Sequence, residues 1–293
     1  MILETIDQMV AVVAESKLNS NPMAMFAQDR EIKDPRSETF FDMLRNNMCP
    51  QLTFFSFAVL FSILITVFFF AQAGVDGIDR TRIAGELIPI NLDGPISSNL
   101  SNKAIDIKEK YQIYRPLTSL IIHTNLYHVF SNAIMLIIWA SYFEVYLTTR
   151  RTPIMFVLSG VLGNLFAASI QGAGSNSLGA STGIFGIMGA AVGFLAFNWK
   201  NMDYQGSQKN FFMCQLGFIL IFSLLFVSSG DNVTAHLGGL LAGVFVGMFV
   251  SVRHISPEGQ PIGLTSYEKT VRNIGIGGAV IIFVVCLSVI LFA

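Results

Sequence analysis

Residues 179–198 read GASTGIFGIMGAAVGFLAFN and residues 235–252 read AHLGGLLAGVFVGMFVSV. Both are free of Asp, Glu, Lys and Arg. Both also match the roughly 18 apolar residues that a hydrocarbon core of about 30 Å asks of a helix. Gly186, Gly189 and Gly193 recur along the first, while Gly239, Gly243 and Gly247 follow at four-residue spacing on the second. Small residues at that period let two helices approach closely in lipid. The two stretches are therefore expected to be membrane spans packed with minimal separation.

The rest of the chain fits that environment. Of its 293 residues, 53% are hydrophobic and only 13% charged. That is about half the charge of a soluble domain. Hydropathy predicts seven spans, at 52–73, 124–147, 153–171, 182–198, 211–229, 235–252 and 274–292, so the fold class is an all-α polytopic membrane protein. The organisation expected is a flexible, cytosolic N-terminal tail over residues 1–51, a six-helix core over 52–252, a cytosolic linker over 253–273 and a seventh, C-terminal transmembrane helix over 274–293. Residues 74–117 form the one long connection, and a loop of that length is usually functional or disordered. Net charge is −1 with no run of like charges. This argues against a nucleic-acid partner and against a polybasic lipid patch. Cys49, Cys214 and Cys286 show neither paired nor metal-ligand spacing and read as structural.

Basic residues near span ends set the orientation. The Arg150-Arg151 linker is the clearest signal and is expected in the cytosol, together with Arg36, Arg45, Lys200, Lys209, Arg253, Lys269 and Arg272. The N-terminus is then cytosolic and the C-terminus outside. Acidic residues stand near the N-terminus where a cleaved signal peptide would be basic, so the first span is expected to act as the targeting signal.

On that topology the second, fourth and sixth spans all begin at the outer face, and the polar residues collect there. His123, His128 and Asn132 open the second, Ser181 the fourth and His236 the sixth. Ionisable groups at membrane depth are costly and call for a functional explanation by default, although helix-to-helix hydrogen bonding is the plainer alternative. Ser181 lies between Gly179 and Gly183, whose missing side chains would let a substrate backbone reach the hydroxyl. At a helix N-terminus, free N–H groups can stabilise a developing oxyanion, though a serine there also serves as an ordinary cap. Close packing of the fourth and sixth spans would bring His236 within reach of Ser181 as its base. His128 and Asn132, at i and i+4, share one helix face and offer hydrogen-bond donors, or simply pair with each other.

These residues resemble the rhomboid intramembrane serine proteases. The likeness rests on Tyr114-Arg115, His123, His128-x-x-x-Asn132, Glu144, Gly179-x-Ser181-x-Gly183 and Ala235-His236-x-Gly238-Gly239, in that order across residues 52–252. It implies Ser181 as nucleophile and His236 as base, with His128, Asn132 and the Ser181 N–H forming the oxyanion hole. It further implies that Phe185 lies beneath the catalytic histidine, that Arg115 and Glu144 are structural, and that the 74–117 loop is partly membrane-embedded and shapes lateral substrate entry. The seventh span is similar to the eukaryotic secretase-type arrangement. The partners implied are the lipid bilayer and single-span membrane proteins, cut where the helix loosens near its outer end so that ectodomains are released. A plasma membrane or secretory-pathway membrane is the expected location, and neither a cofactor nor a metal is expected.

Other classes fit less well. A catalytically dead relative acting as an adaptor typically lacks the serine or the histidine, and both are present. A transporter would need more intramembrane charge than Glu144 and Asp231 supply. Zinc held by His123, His128 and His236 lacks a completing Cys or carboxylate. Asn99-Leu100-Ser101 and Asn232-Val233-Thr234 are glycosylation sequons on the expected outer side, the second close to the membrane.

Overall fold

The computed structural model describes residues 53–79, 90–147, 150–174, 176–201, 233–251 and 263–292, with single positions between 210 and 221. The expected tail, residues 1–51, and most of the expected span at 211–229 lie outside the described residues. What is described is helical, with isolated bridges but no strand.

Among the described residues six helices are long and apolar enough to cross a membrane, and the protein is a multi-pass membrane protein. They are α1 (Phe57–Asp76), α5 (Leu126–Leu147), α6 (Thr152–Gln171), α7 (Ser181–Asn198), α8 (Val233–Val250) and α9 (Ser266–Phe292). Their ends follow from local chemistry. Ser56 caps α1 by accepting the Val59 N–H. Pro153 stands in the first turn of α6, where its missing N–H breaks no helical bond, and Gly172 at φ 57 ends that helix. At α9, Thr265 and Glu268 form a reciprocal capping box. The Glu268 carboxylate accepts the Thr265 N–H at 2.7 Å. In return, Thr265 Oγ1 accepts the Glu268 N–H at 3.2 Å. That box starts α9 at Ser266, inside the stretch read from sequence as linker.

α7 is the axis of the bundle. Of its residues 83% are buried, against 22% along the apolar stretch of α9, and it packs on α5, α6 and above all α8. α1 lies outside α5, while α9 covers α8 and α6. The α7–α8 seam is made by glycines: a Cβ added at Gly189 would collide with the Leu240 carbonyl, and one at Gly243 with the Gly186 carbonyl. The glycine spacing read from the sequence thus corresponds to backbone packed on backbone. Aliphatic side chains such as Leu64 and Val67 on α1 and Val284 and Val285 on α9 are exposed outward, as the lipid-facing side of a membrane helix should be.

The connection between α1 and α5 is folded where it is described. It contains α2 (Pro95–Leu100), α3 (Ala104–Lys110) and α4 (Arg115–Thr118). Arg115, 1% exposed, holds it together by an ion pair to Asp106 at 2.8 Å and hydrogen bonds to the Ser98 and Ser101 carbonyls. At the end of α1, Asp76 accepts the Ile96 and Ser97 N–H groups and the Ser97 hydroxyl, which fixes the start of α2. Glu144 is buried late in α5 and accepts the Ala58 N–H of α1 at 3.4 Å.

Candidate active site

Ser181 is the first residue of α7 and His236 the fourth of α8, so the glycine seam that draws those helices together also fixes the distance between the two side chains. His236 Nε2 lies 2.8 Å from Ser181 Oγ. The Phe185 ring, one turn along α7, stacks on the imidazole with centroids 4.6 Å apart. His236 Nδ1 is buried and has no hydrogen-bond partner among the described residues. Asp231, the nearest acid in sequence, lies outside them.

The segment before Ser181 is held from the other side. Gly179 adopts φ +113, and a Cβ there would come within 2.7 Å of the His128 ring and 3.5 Å of Asn132 Nδ2. Glycine is required here on two counts, the left-handed backbone and the room it leaves for His128. Asn132, 4% exposed, donates from Nδ2 to the His128 carbonyl at 3.0 Å, so its amide is turned onto its own helix. His128 Nδ1 pairs with Thr124 Oγ1 at 3.3 Å.

His123 is fully buried, just before α5, and its tautomer follows from its neighbours. Nδ1 faces the Ile121 carbonyl at 3.1 Å. A carbonyl can only accept, so Nδ1 carries the proton. Nε2 is then free to accept the Ala180 N–H at 3.4 Å, and this holds the backbone one residue before Ser181. Burial, and next the neighbouring His128, push the His123 pKa well below the ordinary histidine value, against the opposing hydrogen bond to the Ile121 carbonyl, so the ring stays neutral.

All four residues singled out in the sequence, Ser181, His236, His128 and Asn132, meet at one end of the bundle. Arg151 lies at the other, donating to the Val250 carbonyl at the far end of α8. Among the described residues no group of His, Cys, Asp and Glu is arranged to hold a metal.

Three polar residues around the site were not singled out from sequence. Gln72 accepts the His123 N–H at 3.3 Å and donates to the His123 carbonyl at 3.1 Å, while Asn164 and Thr182 bond each other at 3.1 Å. For Gln72 and Asn164 the available signal was an amide inside an otherwise apolar span.

A dyad of this geometry suits acyl transfer, because the serine proton has an acceptor and the free N–H groups of the α7 N-terminus lie beside the hydroxyl. The family description "Rhomboid domain" matches residues 110–253. Rhomboid-like protease 1 of Toxoplasma gondii is 29% identical over 140 residues, 47% of this chain and 47% of its own length. RHOMBOID-like protein 5 of Arabidopsis thaliana is 29% identical over 170 residues, covering 56% of this chain and 54% of that protein. Inactive RHOMBOID-like protein 8 of the same plant is 33% identical over 158 residues, 51% of this chain and 42% of its own. The chain thus spans about half the length of these curated relatives. With every residue of the Ser181, His236, His128 and Asn132 cluster inside the matched stretch, residues 110–253 are a domain of the rhomboid family.

Proposed function

We propose that this protein is an intramembrane serine endopeptidase that cleaves single-span membrane proteins within or near the outer leaflet and releases their ectodomains. The observation that carries the reading is the 2.8 Å contact between Ser181 Oγ and His236 Nε2 inside a membrane bundle. Ser181 Oγ attacks the scissile carbonyl while His236 Nε2 takes its proton. The imidazolium then gives that proton to the leaving amine, and water, activated by the same nitrogen, hydrolyses the acyl-enzyme. His236 works here as one half of a dyad, since a further buried carboxylate would carry its own desolvation penalty. The tetrahedral oxyanion is received by the Ser181 N–H, His128 and Asn132, the last after its amide swings away from the His128 carbonyl.

In this reading residues 52–252 are the catalytic core, and the C-terminal helix is the added span of a eukaryotic secretase-type rhomboid. The N-terminus faces the cytosol, and the site opens toward the exterior or lumen of the plasma membrane or secretory pathway. No cofactor takes part.

The test is incubation of the purified protein, reconstituted in lipid, with a transmembrane-helix substrate, beside Ser181→Ala. Cleavage by the parent and not by the variant supports the reading. A second reading, a binding protein without catalysis, has in its favour the 33% identity to a relative named inactive. Substrate retained but uncut by the parent protein would favour it.

A further inference from the structure

A polar side chain buried in an apolar helix needs partners, and Asn164, in the middle of α6, has them on every side. It is 1% exposed. Its Nδ2 donates to the Pro116 carbonyl and to Ser119 Oγ, both at 2.9 Å. Its Oδ1 accepts from Thr182 Oγ1 at 3.1 Å, and its backbone carbonyl accepts from Asn102 Nδ2 at 2.8 Å.

Those partners bracket the nucleophile. Thr182 follows Ser181 directly in the chain. On the other side, the Ser119 carbonyl accepts the Gly179 N–H at 2.8 Å. Asn102 donates to Ser177 Oγ at 3.0 Å and exchanges backbone hydrogen bonds with Ser177 at 2.9 and 3.2 Å. One amide therefore ties the segment entering Ser181 and the residue leaving it to the same piece of the α1–α5 connection.

We propose that Asn164 is a positioning residue for catalysis: by holding Thr182 directly and Gly179 through Ser119, it sets the Ser181 hydroxyl and N–H against His236. This rests on the protease reading above. Asn164 touches no reacting atom, and its effect comes through geometry, where a displacement of about 1 Å can lower turnover roughly a hundredfold. The Thr182 hydroxyl is the arm through which it acts on α7. The Thr182 methyl has a separate task, filling the space against Gly163 and Gly239.

The experiment uses the full chain in lipid or detergent with a transmembrane-helix substrate, and measures kcat, KM and thermal unfolding for each variant. Thr182→Val deletes the hydroxyl and keeps the methyl; Thr182→Ser keeps the hydroxyl; Asn164→Ala removes the hub. The expected result is a kcat about 10- to 100-fold lower in folded Thr182→Val and Asn164→Ala, with KM within about threefold of the parent. The double variant should lose no more than the worse single one, and Thr182→Ser should retain most of the parent's kcat. If Asn164→Ala does not fold, Thr182→Val decides alone. Undiminished kcat in folded Thr182→Val, or losses that follow only the unfolded fraction, overturns the assignment while the protease reading stands. A parent protein that neither cleaves nor reacts with a fluorophosphonate overturns both.

Discussion

The Phe185 ring lies flat against the His236 imidazole, with centroids 4.6 Å apart and planes 9° from parallel. The helix that carries the Ser181 hydroxyl thus also carries the platform for the ring that hydrogen-bonds it. With Nδ1 of His236 unpartnered among the described residues, the stack and the bond to Ser181 are what fix the imidazole. Phe185→Leu keeps an apolar filling and removes the stack, a contact worth about 0.5–1.5 kcal/mol. The expected outcome is a kcat/KM up to about tenfold lower in the folded variant. An unchanged kcat/KM would mean the ring needs no platform.

Backbone contact along α7 and α8 gives a sharper contrast. Gly243→Ala drives a methyl into the Gly186 carbonyl. Overpacking of this kind costs about 1–3 kcal/mol and here also pushes Ser181 and His236 apart. Gly277→Ala, in α9, meets nothing within 4 Å. It removes backbone entropy from the unfolded chain, a gain of about 0.5–1 kcal/mol. Thermal unfolding in micelles should fall for the first and hold or rise for the second, and only the first should lose cleavage.

How far the molecule could be read from its sequence depends on the range of the interaction. The glycine period is local, and it announced the α7–α8 seam and with it the meeting of Ser181 and His236. The i, i+4 spacing put His128 and Asn132 on one face, although it could not say that the Asn132 amide would turn back onto the His128 carbonyl. The α1–α5 connection was harder. Its order comes from bonds such as Gln72 to the His123 carbonyl, Asn102 to the Asn164 carbonyl and Arg115 to Asp106, made by side chains to partners with which they share no periodicity. The start of α9 was legible in Thr265 and Glu268, but Lys269 and Arg272 drew the reading toward a linker.

Arg115 and Asp106 set the stability of that connection and its dependence on pH. Arg115→Ala leaves Asp106 paired with Lys110 at 2.8 Å but strips the buried Ser101 carbonyl of its donor, a loss of about 1–3 kcal/mol. The hydrogen bond from Lys110, joined by the charges of Arg115, Lys110 and Lys103, outweighs burial and holds the Asp106 carboxyl below its ordinary 3.8. A folded value lower than the unfolded one means the contribution is fully present above about pH 4 and is lost as pH falls through the folded value. Stability in micelles should therefore show an acid limb below about pH 4 that is shallower in Asp106→Asn.

Topology is open to chemical labelling. Ser101, in the α1–α5 connection, is only 1% exposed and a cysteine there would be shielded, whereas Asn99 two residues earlier is exposed. In a chain otherwise free of cysteine, Asn99→Cys should react with an impermeant thiol reagent from the exterior or lumen. Reaction from the cytosol alone would invert every span.

The central claim is that His236 activates Ser181, and the most direct measurement is the site of a covalent fluorophosphonate adduct located by peptide mass spectrometry. The adduct should fall on Ser181 in the parent protein and be absent from Ser181→Ala. It should form at least about a hundredfold more slowly in His236→Ala, where nothing takes the proton of the attacking hydroxyl. An adduct on any other residue, or undiminished labelling of Ser181 without His236, would contradict the dyad.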